Sequence, residues 1–321
     1  MTRIDNYDQR FGSMNGNWKR LRMKHFKSIF IYFLSAILCV GAATAKEKND
    51  WEKERLKDKV KSYTENSYVI KNQTKKVLYS SLQVKYDHKG YLVEKNNPNF
   101  RNYKWDYKYD DQGNKIEENK HIYSDNIDIK EHSTYKYDTK GHKIEYRFYN
   151  TDGASYNKIN YKYDNKGNLI KELKYDSSDI LYGNITYKYD AQNNLIEGIE
   201  QADSIKDPYN KMTYQYDDKG NKVEMKFYSG DDKNLQFKKT FQYDDKNNLK
   251  IESHYNFEGK LEYQWVYSYD DRGNKIQDLK SGGFKDKQIY KYDNKNNWIQ
   301  LFYYRGKNLL GIVEREYSYY D

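Results

Sequence analysis

The sequence predicts an all-β protein, an antiparallel β-meander of repeated hairpins forming an elongated or spiral sheet with about two strands per 26-residue repeat. Three observations predict it. A Tyr-x-Tyr-Asp-x-x-Gly-Asn motif recurs along most of the 321 residues. The segments between motifs alternate in polarity with period two, as half-buried strands do. Finally, the 36% of residues counted as hydrophobic include 38 tyrosines, leaving too few aliphatic side chains for the thick core of an α/β enzyme. A mean hydropathy of −1.23 points to disorder, but 17% aromatic residues and only two prolines oppose it.

The N-terminus reads as a leader. Ile29 to Val40 is the one strongly apolar stretch, too short to span a bilayer as a mature helix. Lys19, Arg20, Arg22, Lys24 and Lys27 precede it and Ala43-Thr44-Ala45 follows, the order of a secretory signal peptide. Residues 1–45 are assigned to this signal, with Met23 as an alternative start because Met23 to Lys27 is itself a complete basic region. Cys39 invites a lipid anchor, but Leu38 before it is not small, so lipidation is disfavoured. Cleavage after Ala45 leaves no cysteine, and seven of the basic residues go with the leader. The remaining chain is nearly charge-balanced, without a basic block, which argues against nucleic acid as a partner.

Residues 46–80 are expected to form an N-terminal cap and a first strand. Trp51 to Val60 suits a short charged helix, and Val60 to Ile70 suits a strand paired with Val77 to Tyr86. Residues 81–321 are the repeat domain. Its motif aspartates are Asp87, Asp110, Asp138, Asp164, Asp190, Asp217, Asp244, Asp270 and Asp293, spaced by 23 to 28 residues. Asp at the first position of a type I turn accepts backbone N–H groups from within it. Three residues on, a left-handed residue closes the hairpin: Gly90, Gly113, Gly141, Gly167, Gly220 and Gly273, replaced by Asn193, Asn247 and Asn296 in the other copies. Asn is the next best residue at positive φ. Between turns, Lys222 to Tyr228 alternates Val223, Met225 and Phe227 with Glu224, Lys226 and Tyr228, and Lys143 to Tyr149 sets Ile144, Tyr146 and Phe148 on one face. Second turns follow, as at Asn150-Thr151-Asp152-Gly153, so each repeat is two strands and no crossover helix fits. The count is eighteen strands or more. A β-propeller is the architectural rival, disfavoured by the uniform spacing.

The repeated Tyr-x-Tyr-Asp-x-x-Gly-Asn unit over residues 80–321 resembles the Rhs/YD-repeat family of bacterial secreted and surface proteins. The resemblance implies a spiralling antiparallel sheet. It further implies either a shell around a toxin domain, as in large members, or sugar binding, as described for short ones. Asp207-Pro208-Tyr209-Asn210 does not fit the Asp-Pro-x-Gly self-cleavage core of the large members. No effector domain is expected after the repeats, and too few residues are expected in them to enclose a folded cargo.

Chemistry-bearing constellations are scarce. The Asp-Asp pairs at 110/111, 217/218, 244/245 and 270/271 look acidic, but calcium needs six to eight converging oxygens and each turn offers one capping Asp, so no metal is expected. Histidines 88, 121, 132, 142 and 254 lack a recurring Ser or Cys partner, and no phosphate loop opens a helix. No cofactor and no enzyme activity are therefore expected. The tyrosine rows serve the sheet first, through cross-strand pairs. Trp105, Trp265 and Trp298 are the candidate ligand contacts, because an exposed ring can stack on a sugar or a partner side chain. Lys162, Lys188 and Lys226 oppose a lipid-facing barrel, and no transmembrane span is expected in the mature chain. The sequence thus points to an exported, non-catalytic binding or scaffold module at the cell envelope, in the periplasm, on the outer surface or secreted. Its expected partner is a glycan or an envelope protein. A carrier or remnant of an Rhs-type toxin system and a polysaccharide hydrolase are the alternatives. N-terminal sequencing of the exported protein is expected to begin at Lys46; a start at Cys39, or an intact leader, contradicts the signal-peptide assignment.

Overall fold

A computed structural model describes residues 49–321, apart from 73, 99–102, 125–126, 152, 154, 203–209, 231–233, 272 and 282–285. The signal peptide, the alternative start at Met23 and Cys39 lie outside the described residues, as does most of the Asp207–Asn210 tetrad. One short helix, α1 (Asp50–Lys53), precedes twenty strands. The first five hairpins pair β1 (Val60–Lys71) with β2 (Lys75–Tyr86), β3 (Leu92–Asn97) with β4 (Tyr103–Tyr109), β5 (Lys115–Ser124) with β6 (Ile127–Tyr137), β7 (Lys143–Tyr149) with β8 (Ser155–Tyr163), and β9 (Leu169–Tyr175) with β10 (Leu181–Tyr189). Then come β11 (Leu195–Ala202) and β12 (Asn210–Tyr216), β13 (Lys222–Ser229) and β14 (Leu235–Tyr243), β15 (Leu249–Asn256) and β16 (Leu261–Tyr269), β17 (Lys275–Ser281) and β18 (Asp286–Tyr292), β19 (Trp298–Arg305) and β20 (Asn308–Tyr319). Each strand pairs antiparallel with its predecessor and successor.

The expectation of an open, elongated or spiral sheet is overturned: the meander is a closed barrel. β1 pairs with β2 on one side and with β20 on the other, in register from Tyr63 opposite Tyr317 to Val69 opposite Gly311. β1 takes the place beside β20 that a repeat's second strand takes beside its Tyr-x-Tyr strand. The repeat itself supplies the curvature. In every motif hairpin one residue of the second strand is extra; Lys108 faces Glu117 while Tyr109 faces Lys115, leaving Ile116 unpaired. The same slip recurs at Tyr137, Tyr163, Tyr189, Tyr216, Tyr243, Tyr269 and Tyr292. A bulge bends its strand and increases local twist, and bulges at one level in successive hairpins turn the sheet the same way until its edges meet. They also displace residues assigned by simple alternation: Ile144 is exposed, whereas Met225 and Phe227 are buried.

The motif turns form one rim. Asp110 Oδ1 accepts from Gln112 N (3.0 Å) and Asn114 N (2.8 Å), and Gly113 N donates to Asp110 O (3.0 Å). Asp87, Asp138, Asp164, Asp190, Asp217, Asp244 and Asp293 make the equivalent pair of bonds, and Asp270 accepts from Asn274 N. Gly90, Gly113, Gly141, Gly167, Gly220 and Gly273 have φ between +80° and +89°, and Asn193, Asn247 and Asn296 between +65° and +71°. The asparagines add a lateral bond. Asn193, Asn247 and Asn296 each accept through Oδ1 from the Asn of the turn before, at 3.2, 2.6 and 3.3 Å from Asn168, Asn221 and Asn274.

The second tyrosine of each motif stitches its hairpin to the previous one. Tyr109, Tyr137, Tyr163, Tyr189, Tyr216, Tyr243, Tyr269 and Tyr292 donate their phenol to the carbonyl of Leu92, Lys115, Lys143, Leu169, Leu195, Lys222, Leu249 and Lys275, at 2.8–3.3 Å. A phenol can satisfy a strand carbonyl while burying its ring, which an aliphatic side chain cannot.

Residues 49–59 lie across this rim. The Trp51 ring rests against Gly90, where a Cβ would come within 2.5 Å of it. Asp50 Oδ2 accepts from Leu92 N and shares the single Tyr109 phenol hydrogen with the Leu92 carbonyl, and Lys57 N donates to Asn297 Oδ1. Leu56 packs with Val60, Tyr63, Val84, Tyr86 and Leu92. Among the described residues all strand pairings fall within 60–319 and the cap within 49–59, so a chain beginning at Lys46 retains every one of them. Replacing Tyr189 by Phe is expected to cost about 1 kcal/mol, the net worth of one hydrogen bond to a strand carbonyl; a denaturant midpoint unchanged from the parent shows the stitch to be idle.

Candidate functional site

The two faces of the wall differ in chemistry. In a single-layer closed sheet the face that carries the fully buried side chains faces inward. By register that face holds Val84, Ile185, Met212 and Phe227 together with both motif tyrosines. The residue between those tyrosines faces outward. It is usually Lys and pairs with a Glu on the next strand: Lys85–Glu94 (2.8 Å), Lys108–Glu117 (3.0 Å), Lys136–Glu145 (2.9 Å) and Lys188–Glu197 (2.7 Å). Arg147, Lys211 and Lys226 extend these outer pairs.

The inner wall mixes aromatic rings with paired charges. At β9–β12, Lys174 Nζ lies 2.7 Å from Glu200 Oε1, both nearly buried, and Asn210 Nδ2 donates to Glu200 Oε2. Beside them Tyr187 donates to Glu172 Oε1 at 2.8 Å, and burial raises the Glu172 carboxyl above its usual range against that bond and the Lys174 charge. Lys115, Lys143, Lys222 and Lys275, near the capped rim, hold their ammonium groups over motif tyrosines, 4.4–6.0 Å from the ring centres.

Trp105, Trp265 and Trp298 all face inward, half-buried, on β4, β16 and β19, so no two are neighbours in the sheet. Trp298 is committed to structure: the Arg315 guanidinium lies 3.9 Å above its ring, and Arg315 is itself bound to Glu65. Trp105 and Trp265 occupy parallel settings. Each is second in an inward row of four rings, Tyr103, Trp105, Tyr107 and Tyr109 on β4, and Tyr263, Trp265, Tyr267 and Tyr269 on β16. Each faces a Lys across the next strand pair, Lys120 and Lys280. Trp105 stacks on Tyr103 with centroids 5.3 Å apart, and Lys120 pairs with Glu131 at 2.9 Å.

Around Trp265 the rings form a continuous band. Phe227 meets Phe237 (5.3 Å), Phe237 meets His254 (5.1 Å), His254 stacks on Tyr263 (4.7 Å, 8° between planes), and Lys280 Nζ lies 4.3 Å from the Tyr263 centroid and 5.5 Å from that of Trp265. The band crosses five consecutive strands at one level, with Lys239–Glu252 (2.9 Å) beside it. It offers flat apolar faces edged by one ammonium group and one ion pair, a surface suited to a planar or ring-shaped ligand with polar edges. Reasoning from sequence found Trp265 but not its partners. The signal available was Tyr-x-Trp one residue before Tyr-x-Tyr-Asp, at 103–110 and at 263–270 only.

Three further histidines are held locally. His142 Nδ1 lies 2.9 Å from Asp138 Oδ2 within its turn, His121 contacts Asp128, and His132 bonds to Asn119. His132 and Tyr149 line an open cleft of ≈ 560 Å³ at β5–β7, beside Lys130 and Asn150. Among the described residues no three His, Cys, Asp or Glu side chains gather as a metal site, and no helix is long and apolar enough to cross a membrane.

No family profile matches the sequence, and no curated protein does. Solved structures with some likeness include the complex TcdB2-TccC3-Cdc42 (TM-score 0.40, 13% identity), where the match covers 75% of this chain and 15% of that one. TcdB2-TccC3 scores 0.41 at 14% identity, over 77% of this chain and 16% of that one. A porin-like protein from Bacteroides uniformis ATCC 8492 scores 0.37 at 12% identity, over 81% and 98%. This chain therefore spans about one sixth of the TcdB2-TccC3 chains it is similar to.

Burial, then the Lys239 charge, pull the His254 imidazole below its usual pKa, against the opposing pull of Glu262. The unfolded chain therefore takes up this proton more readily, so stability from this site is full above about pH 6.5 and declines as pH falls through that value. Unfolding midpoints are expected to drop between pH 7 and pH 5 in the parent and to drop less in His254→Phe; equal drops in the two proteins dissociate His254 from the effect.

Proposed function

We propose that this protein is an exported, non-catalytic binding or scaffold barrel of the cell envelope, holding a glycan or protein partner against the aromatic band of its inner wall. The band from Phe227 to Lys280 carries the reading. It gathers ring faces and a cation on one surface, whereas the acids and bases near it are paired with each other rather than poised around a shared substrate position. Sugar rings stack on such faces through their C–H groups, and the Lys280 ammonium and Glu252 carboxylate supply hydrogen-bonding partners for hydroxyls.

The outer face supports an aqueous rather than a lipid-spanning barrel. Lys–Glu pairs recur around it beside the motif turns, and Arg147 and Lys226 carry charge to mid-strand, where a membrane barrel keeps an apolar band and a lysine costs roughly 2–4 kcal/mol at the bilayer midplane. The leader supports export. The recurrent motif supports a place among the Rhs/YD-repeat proteins, as a short barrel rather than a shell.

An array of bacterial envelope polysaccharides and an envelope-lysate pull-down test this reading. At least one ligand is expected to bind, and Trp265→Ala with Lys280→Ala is expected to weaken it by roughly tenfold or more, the scale of a lost stacking and charge contact. Binding that survives both substitutions removes the inner band as the site, and turnover of the bound glycan overturns the non-catalytic reading.

A further inference from the structure

The inner wall around Trp105 repeats the composition of the wall around Trp265. On each even-numbered strand the last four inward positions end on the motif pair, and only β4 and β16 fill all four with rings. On the other eight strands the place of the tryptophan is taken by an aliphatic, polar or charged side chain, as at Ser133, Met212 and Gln288. Both tryptophans are half-buried, and each lies five residues before its motif aspartate, Asp110 or Asp270, so the two stand equally far from the capped rim.

Charge follows the same plan at both places. Trp265 stands between Glu252 of β15 and Lys280 of β17, and Lys239 holds Glu252 at 2.9 Å. Trp105 stands between Lys95 of β3 and Lys120 of β5, and Glu131 holds Lys120 at 2.9 Å. Each tryptophan therefore has a neutralised Lys–Glu pair on one side. On its other side is a lysine, Lys280 or Lys95, that enters no ion pair among the described residues. Both single lysines lie on the side nearer the β1–β20 seam and both ion pairs on the side away from it. Rings, one ion pair and one single ammonium group thus recur together twice, in matching order about the seam.

We propose that the wall at Trp105 is a second binding station with the chemistry of the first, and that both stations take a glycan built of repeating rings. The proposal rests on the inner-wall reading above and adds to it a second site and a repeating ligand. The stacked Tyr103 and Trp105 rings, 5.3 Å apart, offer a face for sugar C–H groups, and the Lys95 ammonium donates to hydroxyls at its edge. The choice of a glycan over a protein follows from the duplication. A polysaccharide presents one ring with one set of hydroxyls again and again, whereas a folded protein presents each of its surfaces once. Closure also leaves no free strand edge for an extended peptide to pair with. Eight strand spacings of about 4.8 Å, roughly 38 Å of wall, separate the two tryptophans through the seam. A fragment of two to four sugars therefore occupies one station at a time.

Equilibrium dialysis of the chain from Lys46 tests it, with a partial acid hydrolysate of bacterial envelope polysaccharides, sized to two to four sugars and fluorescently labelled, as the probe. The parent is expected to hold two fragments per barrel. Trp105→Ala, and separately Lys95→Ala, are each expected to weaken one of the two by roughly tenfold and leave the other unchanged. Trp265→Ala with Lys280→Ala is expected to do the converse. Lys95→Ala takes no hydrogen bond or ion pair from the fold among the described residues, so its circular dichroism and melting temperature should match the parent's. One fragment per barrel, lost with Trp265 and indifferent to Trp105 and Lys95, overturns the second station and leaves the first reading standing. No fragment held by the parent overturns both readings together. A protein from the envelope lysate, bound through both tryptophans where the fragments are not, overturns the choice of a glycan.

Discussion

Pairing of β1 with β20 is the constraint on which everything else rests. A meander of this length has two edges, each a row of unsatisfied N–H and C=O groups open to another chain. The register from Tyr63 opposite Tyr317 to Val69 opposite Gly311 consumes both edges at once. It also gives the wall an inside. Without closure the tyrosine face and the Lys–Glu face would both meet water, and no ring on either would be screened enough to become a selective surface. The seam is reinforced from within, where Arg315 of β20 binds Glu65 of β1 and covers Trp298 of β19, and from above, where Tyr320 N donates to Lys59 O.

The barrel is held by a different balance from that of an aliphatic core. Phenols anchor to backbone carbonyls of the preceding hairpin, and lysines that would be costly inside apolar packing sit over rings or against carboxylates. Fully buried aliphatic side chains concentrate in two sectors, around Val60 and Val84 under the cap and around Ile185 and Met212 at β10–β12. Between these sectors the inner wall is only half-buried, and Trp105 and Trp265 are found there. The same residues that compensate for a thin core therefore leave aromatic surface accessible, and stability and recognition draw on one supply of rings.

Much of the local structure was legible in the chain. Asp and Gly three apart encode a turn through short-range sterics and hydrogen bonds, and the Asn replacements at 193, 247 and 296 keep the same backbone condition. Closure was not legible, because it depends on a contact between residues some 250 positions apart and on small bends summed over successive hairpins. Ile116 and Ile144 look like core positions in an alternating pattern; the bulge that displaces them appears only when two strands are laid side by side. The candidate site was legible in one residue, Trp265, of the six that make it, Tyr263 among them. Trp265 drew notice by its rarity, whereas Phe227, Phe237, His254 and Lys280 gain meaning only from the register that sets them at one level. Trp298 drew equal notice and proved to be a stacking partner of the seam.

The seam has a consequence for how such a protein can change over evolutionary time. β1 joins whichever Tyr-x-Tyr strand happens to come last, and every hairpin hands an equivalent edge to the next. Duplicating or losing one unit by unequal recombination adds or removes two staves from the cask while leaving hoop and lid intact. Girth then becomes a counted quantity, altered in integer steps, and the width of the mouth can be retuned without redesigning a single contact within a hairpin.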